Sequence, residues 1–288
     1  SGYIPALMKA GFNGPIYSSS GTFDLCSVLL PDAGYLQEED ARYANHKRFS
    51  KHTPALPLYT EEDARKSLNL FHTIAMNKEI EIIKGVTASF SPVGHILGAS
   101  SIQIKAHGKT ITFSGDVGRN EDLVMNPPQA LSETDYLIVE STYGNRLHEN
   151  TDAFTYFEDI INKTCKRGGI VLMPSFAVGR TQINLHILQT LKQQKRIPNL
   201  PIYLNSPMAI TATEIYCRHH KEHKLSQEQC QQIDQNTHYI RTPEESIELN
   251  GSNFPSVILS ASGMASGGRV LHHLKSLLTH HQHSIVFI

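Results

Sequence analysis

The sequence predicts a mixed α/β protein in two parts, and two patterns support that prediction. Before about residue 147, short strands alternate apolar and polar side chains, and two of them flank the turn 107–109 as an antiparallel hairpin. After residue 135, continuous apolar strands alternate with helical patterns, which is typical of a parallel sheet covered on both faces. We therefore expect two domains without a flexible linker, residues 1–146 and 147–288.

The individual elements follow from local signals. Residues 1–30 carry glycine and proline around short apolar runs, which indicates helix and loop pieces at a sheet edge. Thr60 is followed by three acidic residues, as at a helix N-terminus, and predicts a helix to about Met76. The other predicted strands are 86–90, 102–106, 111–113, 136–139, 170–173, 202–204, 257–259 and 284–288, and the other helices are 152–166, 180–195, 207–221 and 267–280.

Charge, cysteine content and hydropathy exclude several classes of protein. Lysine plus arginine number 26 against 27 aspartate plus glutamate, so the chain lacks the overall basic charge of a nonspecific nucleic-acid-binding protein. The four scattered cysteines predict reduced thiols and a cytoplasmic location. No apolar stretch approaches the ~18 residues of a membrane span, so no membrane partner is expected. Because the chain starts at Ser1 and stops within an apolar run, we expect it to be part of a longer enzyme.

Three polar residues end or follow predicted strands, where α/β proteins gather their sites. His95 lies in a loop between two glycines, Asp116 follows the hairpin, and Glu140 ends the strand 136–139. Imidazole and carboxylate groups are metal ligands. Ordinary roles stay open for each residue, namely a backbone hydrogen bond, an Asx turn and a turn cap, respectively. An acid at the tip of a buried strand is costly unless it is partnered, which favours a function for Glu140.

Six strings of residues, taken in order, resemble one family of enzymes. They are PVGHILGASSIQI, FSGDVGR, LIVESTYGNRLH, VLMPSFAVGRTQ, PIYLNSPMA and ILSASGMASGGRVLHHL. Together they resemble the β-CASP branch of the metallo-β-lactamase-fold enzymes, which includes ribonuclease J and the endonuclease of mRNA 3′-end processing. The resemblance runs over essentially the whole chain. It implies an incomplete metallo-β-lactamase αββα sandwich followed by an inserted, Rossmann-like β-CASP domain.

The resemblance also implies a chemistry for the three strand-end residues. In this family the equivalent of His95 binds one zinc, the equivalent of Asp116 bridges two zincs, and the equivalent of Glu140 orients a histidine that protonates the leaving oxygen. Two zinc ions ~3.5–4 Å apart lower the pKa of a bridging water towards ~7, which produces hydroxide for in-line attack on a phosphodiester. The expected activity is therefore zinc-dependent hydrolysis of RNA, with single-stranded RNA as the partner.

Two departures from the family pattern limit this expectation. The HxHxDH motif, which in the family precedes a segment like residues 1–7, is absent, as are the histidine motifs that follow a strand like 284–288. His95 and Asp116 alone are too few for the three or four protein donors of a zinc site. We therefore predict that these 288 residues bind zinc poorly and are inactive by themselves, whereas the longer protein is active.

Residues for RNA binding are predicted after three later strands. Each of these segments lies near a helix start and offers N–H and hydroxyl groups that favour anions. The resemblance implies that they line the RNA cleft between the domains, although helix capping explains Ser206 and Ser262 almost as well, and Arg180 also fits an ion pair. The candidates are Ser175, Gly179, Arg180, Asn205, Ser206, Ser262, Gly263 and Met264.

The remaining histidines are interpreted as surface residues. Two imidazoles four residues apart, at His219 and His223, have a spacing that can hold a metal on a helix. Charged residues are interleaved and no carboxylate base follows, so a solvated face is favoured. The same interpretation applies to His272, His273, His280, His281 and His283, while Arg146 and His148 are predicted to have a structural role near the site.

Two rival functions stay open. The family includes degenerate subunits that bind RNA or partners without cutting. Retention of His95, Asp116 and Glu140 argues against such a subunit. However, a degenerate subunit would be expected to lose metal ligands of the HxHxDH motif, which is the motif absent here. A small-molecule metallohydrolase of the same fold, such as a thioesterase or lactamase, is disfavoured by the second α/β domain. The sequence does not determine whether DNA is also cut, whether cleavage is internal, or the oligomeric state, a homodimer included.

Overall fold

A computed structural model describes residues 1–147 and 152–287, so His148 and Ile288 lie outside the described residues. The chain forms two compact units. Unit 1 comprises Ser1–Arg119 and Pro127–Glu140, and unit 2 comprises Asn120–Asn126 and Ser141–Ile288. None of the helices in the described ranges combines the length and the apolar character needed to cross a membrane. All four cysteines are free thiols.

Unit 1 consists of helices at its N-terminal end and a five-stranded sheet after them. The sheet has the order β3-β4-β5-β6-β7, antiparallel except for the parallel pair β6 and β7. A separate two-stranded parallel sheet joins β1 to β2. The elements are α1 (Ile4–Lys9), β1 (Ile16–Ser18), α2 (Ser20–Lys47), α3 (Glu61–Ser67), β2 (Phe71–Thr73), β3 (Ile80–Ile83), β4 (Val86–Pro92), β5 (Ser100–Ala106), β6 (Lys109–Phe113) and β7 (Tyr136–Ile138).

The predicted hairpin is confirmed. Ile102 pairs with Phe113 and Ala106 pairs with Lys109 in an antiparallel register. The turn between the strands places His107 at φ 50° and Gly108 at φ 70°. Two successive residues with positive φ are the signature of a tight hairpin turn whose twist matches that of the strands.

Residues 136–139 do not form the buried strand that their apolar character predicted. Tyr136–Ile138 is an edge strand of the unit 1 sheet, and it pairs in parallel with β6 on one side. The side chains of Tyr136, Leu137, Ile138 and Val139 are between 50% and 63% exposed. Apolar composition alone cannot distinguish a strand that is covered on both faces from one that is not.

Two helices of unit 1 also differ from the sequence prediction. Helix α2 runs for 28 residues and contains Pro31, whereas the sequence predicted only helix and loop pieces up to residue 30; its Ser19 N-cap accepts the Thr22 N–H. Helix α3 begins at the predicted Thr60 cap but ends at Ser67, nine residues before Met76. It ends early because Phe71–Thr73 pairs with Ile16–Ser18, and this long-range strand pairing overrides local helix propensity.

Unit 2 confirms the predicted parallel α/β pattern. Its five strands lie in the order β10-β9-β11-β8-β12 and every pair is parallel. All residues of the two central strands β8 and β11 are buried, so both faces of the sheet are covered. The elements are α4 (Ala153–Lys166), β8 (Ile170–Pro174), α5 (Arg180–Gln193), β9 (Ile202–Asn205), α6 (Pro207–Arg218), α7 (Gln227–Asn236), β10 (Thr237–Tyr239), α8 (Pro243–Asn250), β11 (Ser256–Ser260), α9 (Val270–Leu277) and β12 (Ser284–Ile285).

Several helices of unit 2 are shorter than predicted, and three other elements were not predicted. Helix α6 ends at Arg218 rather than at 221, and α9 covers eight residues within the predicted range 267–280. The elements α7, β10 and α8 occupy residues 227–250, where the sequence patterns predicted neither a helix nor a strand. Their polar composition hides the narrow apolar face that Cys230, Ile233 and Leu249 bury.

Candidate functional site

The loop that carries His95 is fixed at both of its ends to neighbouring structure. On one side Val93 is buried and its carbonyl accepts the Gly118 N–H at 2.8 Å. On the other side the Gly98 carbonyl accepts hydrogen bonds from the hydroxyls of Ser19 and Thr22, both at 2.9 Å. Gly98 has φ 75°, and a Cβ there would lie 2.2 Å from the Thr22 nitrogen, so only glycine fits.

The loop that carries Asp116 lies directly against the His95 loop. A Cβ at Gly118 would be 2.0 Å from the Gly94 carbonyl oxygen and 2.7 Å from the His95 backbone nitrogen. The two backbones therefore touch, and the glycine is required by this close approach. The contact brings together two loops that lie about 20 residues apart in sequence.

Glu140 is held to the same loop by its carboxylate. The Val117 N–H donates to Glu140 Oε1 at 2.9 Å, immediately after Asp116 in the chain. The backbone of Glu140 is fixed as well, because its N–H donates to Ser114 Oγ at 3.0 Å and the Ser114 N–H donates to the Ile138 carbonyl at 2.8 Å. The three strand-end residues predicted from the sequence thus belong to one cluster of loops in unit 1.

Exposure distinguishes the two candidate metal ligands from Glu140. His95 and Asp116 are exposed, whereas Glu140 is half-buried. An accessible imidazole nitrogen and an accessible carboxylate are donors of the types that zinc accepts. Over residues 1–147 and 152–287, no group of three or more histidine, cysteine, aspartate or glutamate side chains is arranged to hold a metal ion. The two residues therefore fit as part of a zinc site and not as a complete one.

In unit 2 the residues predicted for RNA binding lie at the ends of β8, β9 and β11, and two of these ends are in contact. The Ser175 N–H donates to the Ser260 carbonyl at 3.0 Å. A Cβ at Gly263 would be 2.9 Å from the Phe176 nitrogen, so the loops after β8 and β11 touch. Ser175 itself is 2% exposed, and its hydroxyl donates to the Met173 carbonyl and accepts from Asn184 Nδ2.

The other predicted RNA-binding residues differ in accessibility. Ser206 is buried, and its hydroxyl caps α6 by accepting the Ala209 N–H at 3.2 Å. Arg180 and Met264 are exposed, and Arg180 is the first residue of α5 after Gly179. Ser262 and Gly263 are half-buried. The accessible groups of this set are therefore Arg180 and the segment 262–264.

A buried network of polar side chains surrounds Asn205, the last residue of β9. Arg269 Nη1 donates to Asn205 Oδ1 at 2.9 Å, and Asn205 Nδ2 contacts Ser246 Oγ at 2.8 Å and His273 Nε2 at 2.7 Å. A guanidinium only donates, so the amide oxygen must face Arg269 and the amide nitrogen donates to the imidazole. The proton of neutral His273 therefore lies on Nδ1, which is buried and has no partner in the described part of the chain.

The prediction that His273 is a surface residue is therefore wrong. Its side chain is 1% exposed, and burial, with smaller contributions from His272 and Arg269, lowers its pKa to about 4. His272 is exposed, as predicted. The spacing of Arg269 and His273, four residues apart at the start of a predicted helix, is the signal that would have placed both on one face.

The prediction of a solvated helical face at 219–223 is also wrong. Helix α6 ends at Arg218, so His219 and His223 do not lie on one helix face. His223 is 6% exposed; its Nε2 bonds to the Tyr216 carbonyl at 2.9 Å, and its Nδ1 accepts the Leu225 N–H at 3.1 Å. His219 Nδ1 pairs with Glu222 Oε1 at 2.7 Å.

The predicted surface position of the last histidines holds for two of the three. His280 and His281 are exposed. His283 is half-buried, and its Nδ1 accepts the Ile170 N–H at 2.9 Å.

Comparison with known proteins shows what the chain is similar to. The Beta-Casp domain family matches residues 181–288. Ribonuclease TTHA0252 of Thermus thermophilus is 31% identical over 296 residues, covering all of this chain and 64% of the relative. RNase J-like protein of Methanocaldococcus jannaschii is 30% identical over 228 residues, 76% of this chain and 52% of the relative. Transcription termination factor FttA of the same organism is 29% identical over 310 residues, all of this chain and 45% of the relative.

The resemblance to the β-CASP family that the six sequence strings predicted is confirmed, because residues 181–288 match the Beta-Casp domain and the similar proteins include a ribonuclease, an RNase J-like protein and a termination factor. The chain spans between 45% and 64% of the length of these three relatives. Two of the three are named as ribonucleases or as resembling one, and the third is named as a termination factor.

Proposed function

We propose that this chain is part of a zinc-dependent hydrolase of RNA phosphodiester bonds, and that unit 1 is the incomplete metallo-β-lactamase-fold part of that enzyme. The observation that supports it is the convergence of His95, Asp116 and Glu140 in one cluster of strand-end loops. The 2.9 Å hydrogen bond from Val117 to Glu140 and the backbone contact of Gly118 with His95 hold that cluster together.

His95 and Asp116 are the proposed metal ligands. Their side chains are exposed, while neighbouring loops hold the loops that carry them. The donor atoms therefore extend from a backbone of fixed position and remain accessible to a metal ion. When bound, a zinc pair supplies a nucleophilic hydroxide and neutralises the developing charge on the phosphate. Since two donors do not complete such a centre, the remaining ligands are proposed to come from the longer protein that the resemblance implies.

Glu140 is the proposed positioning residue of the site. Its carboxylate accepts the N–H that follows Asp116, so it fixes the direction in which the Asp116 side chain leaves the loop. Partners that orient metal ligands contribute about 10–100-fold to metal affinity or activity. The second role implied by the resemblance, orienting a histidine acid, requires a residue from one of the absent motifs.

In unit 2, Arg180 and the segment 262–263 are proposed to bind RNA phosphates. Arg180 is an exposed cation at the start of α5, where the helix dipole favours an anion. Ser175 and Ser206 are proposed to support these loops rather than to touch RNA, because their hydroxyls are buried and already hydrogen-bonded.

The test is a substrate comparison with the longer protein. We expect cleavage of single-stranded RNA, loss of cleavage after removal of metal by a chelator, and recovery on adding zinc. A panel of thioesters and a lactam should be left intact. His107→Ala, in the hairpin turn away from the cluster, serves as the histidine control and should retain full activity. Turnover of a small ester with RNA untouched would replace this function with that of a small-molecule hydrolase.

The inactivity of the chain by itself is tested by metal analysis. We expect less than one tightly held zinc per chain after dialysis, and no RNA cleavage by the 288-residue protein. Two tightly held zincs per chain would contradict the proposal. RNA binding without cleavage by the longer protein, even with zinc present, would identify a non-catalytic subunit.

A further inference from the structure

The end of α2 and the loop after it form an exposed surface that the proposed cleavage site does not use. We call it the Tyr43 patch, and it consists of Tyr43, Lys47, Arg48, Phe49 and Lys51. Tyr43 and Phe49 are 58% and 66% exposed, and their rings lie edge to face with centroids 6.0 Å apart. Lys47 Nζ stands 6.0 Å from the centroid of the Tyr43 ring. Rings so exposed leave much of their surface available to a ligand, although Lys47 lies over Tyr43 and the two rings contact each other.

A preformed groove of about 460 Å³ adjoins the two rings. Its far wall includes Leu56 and Leu58, which are 77% and 63% exposed. This wall is tied to α2, because Asn45 exchanges two hydrogen bonds with the backbone of Ala55, at 2.9 and 2.8 Å. A flat apolar ligand that enters the groove would therefore meet fixed walls and would not have to order a loose loop.

The end of α2 and the loop after it are positively charged. Residues 42–52 contain four lysines or arginines and no acidic residue. Arg42 is paired with Glu39 at 2.6 Å. Lys47, Arg48 and Lys51 are exposed and form no ion pair within residues 1–147 and 152–287. The groove is lined by Asp40 and by none of these three cations, so the phosphates of a ligand would have to lie outside it.

The ordinary explanation accounts for only part of this arrangement. Cations in the last turn of a helix are favoured by the helix dipole, which explains Lys47. The dipole does not explain Lys51, four residues beyond the helix, nor two neighbouring aromatic rings left exposed next to cations. Aromatic rings beside lysine and arginine are the combination by which proteins hold single-stranded nucleic acid, with bases stacked on the rings and phosphates at the cations.

We propose that the Tyr43 patch binds single-stranded RNA, with bases stacked on Tyr43 and Phe49 and phosphates at Lys47, Arg48 and Lys51. The identity of the ligand as RNA rests on the proposed function. The patch would hold a part of the RNA that is not being cut. The surplus of unpaired cations selects a polyanion over an apolar peptide segment.

The test is equilibrium binding of a fluorescent oligouridine to the 288-residue chain at several salt concentrations. Tyr43→Ala with Phe49→Ala should weaken binding about tenfold or more, which corresponds to the loss of at least one stacked base, and should leave the salt dependence unchanged. Lys47→Gln with Lys51→Gln should instead reduce the slope of log K against log salt by about 1.4, since two phosphate contacts are lost.

Matched controls come from the same unit. Tyr35→Ala changes a tyrosine of α2 that is 47% exposed, and Lys84→Gln changes an exposed lysine of another loop; both should leave binding unchanged. Tyr43→Phe, which keeps the ring, should bind like wild type, and circular dichroism verifies that every variant is folded. The proposal is overturned if wild type does not bind oligouridine, or if the double alanine variant keeps full affinity. A change in sedimentation with affinity unchanged would point to self-association instead.

Failure of the two proposals can be told apart, because cleavage and binding are measured separately. If the longer protein does not cut RNA but its RNA binding still depends on Tyr43, the proposed cleavage function is refuted. The proposal for the Tyr43 patch then still holds.

Discussion

The strand-end loops of the two units use similar residue types in opposite ways. In unit 1, His95 and Asp116 are exposed, and their loops are fixed by bonds to backbone groups of the loops, some of them from the side chains of Ser19, Thr22 and Glu140. In unit 2, Ser175, Asn205 and His273 are all at most 2% exposed, and their side chains are hydrogen-bonded to other groups inside the unit. A hydroxyl or amide that is already satisfied inside the protein has little left to offer a ligand.

This contrast gives a criterion for distinguishing ligand-binding residues from structural residues at strand ends. Where the backbone carries the structural bonds, the side chain remains available, as in unit 1. Where the side chains make the structural hydrogen bonds, the segment is stable but its polar groups are already bonded, as around Asn205 in unit 2. Sequence position identifies both kinds of residue, since both follow strands, and only the hydrogen-bond partners distinguish them.

The largest expected effect comes from removing a proposed ligand. In the longer protein, Asp116→Asn or His95→Ala should each lower the single-turnover rate of RNA cleavage by about 10³-fold or more, because each removes several kcal/mol of transition-state stabilisation. Ser175→Ala should change the rate less than about threefold. Equal losses in all three variants would erase the distinction between the two units.

Gly118→Ala should disrupt the same cluster by forcing apart two backbone segments. The added Cβ would overlap the Gly94 carbonyl oxygen at 2.0 Å, so the two loops must separate. We expect a loss of about 3 kcal/mol in the free energy of unfolding, at the upper end of the range for overpacking, and a loss of cleavage in the longer protein. Urea denaturation measures the first quantity. Gly2→Ala, where nothing lies within 4 Å, is the control, and a similar cost there would refute the contact.

On the unit 2 side, His273 should make stability depend on pH. The folded protein holds the pKa of His273 at about 4, below the ~6.5 of an unfolded chain, so the unfolded state binds the proton first as pH falls. Stability should decline from about pH 6.5 to about pH 4 and should be unaffected by this group above that window. His273→Gln should reduce the loss between pH 7.5 and pH 5 by about 2 kcal/mol. His281→Gln, which changes an exposed histidine that is not among the causes of the lowered His273 pKa, is the control and should not reduce it.

The sequence predicted the parallel sheet of unit 2 well because its strands are covered on both faces. Ile170–Pro174 is continuously apolar and continuously buried, so one signal reports both properties. The same signal failed at Tyr136–Ile138, whose apolar residues are exposed. Whether a strand is covered depends on packing partners elsewhere in the chain, and local composition does not contain that information.

The candidate site was predictable to the extent that it is local. His95, Asp116 and Glu140 each follow a strand, which is visible in the sequence. The contact of Gly118 with the backbone of Gly94 and His95 joins segments about 20 residues apart and is visible only in the structure. The pairing of Asn205 with His273 spans 68 residues, and His273 was accordingly misread as a surface residue.

The smallest expected effects separate Ser175 from Ser262. Ser175→Ala leaves the buried Asn184 amide without its acceptor, so it should cost about 1 kcal/mol of stability and leave the affinity for RNA unchanged. Ser262 is half-buried in the accessible segment beside Gly263, so Ser262→Ala should change stability by less than about 0.5 kcal/mol and weaken RNA binding by about three- to tenfold. Thermal unfolding and oligouridine titration on the same preparations give both quantities. If Ser175→Ala weakened RNA binding while Ser262→Ala did not, a buried and satisfied hydroxyl would be contributing to the ligand, and accessibility would be the wrong criterion for choosing among the strand-end residues of unit 2.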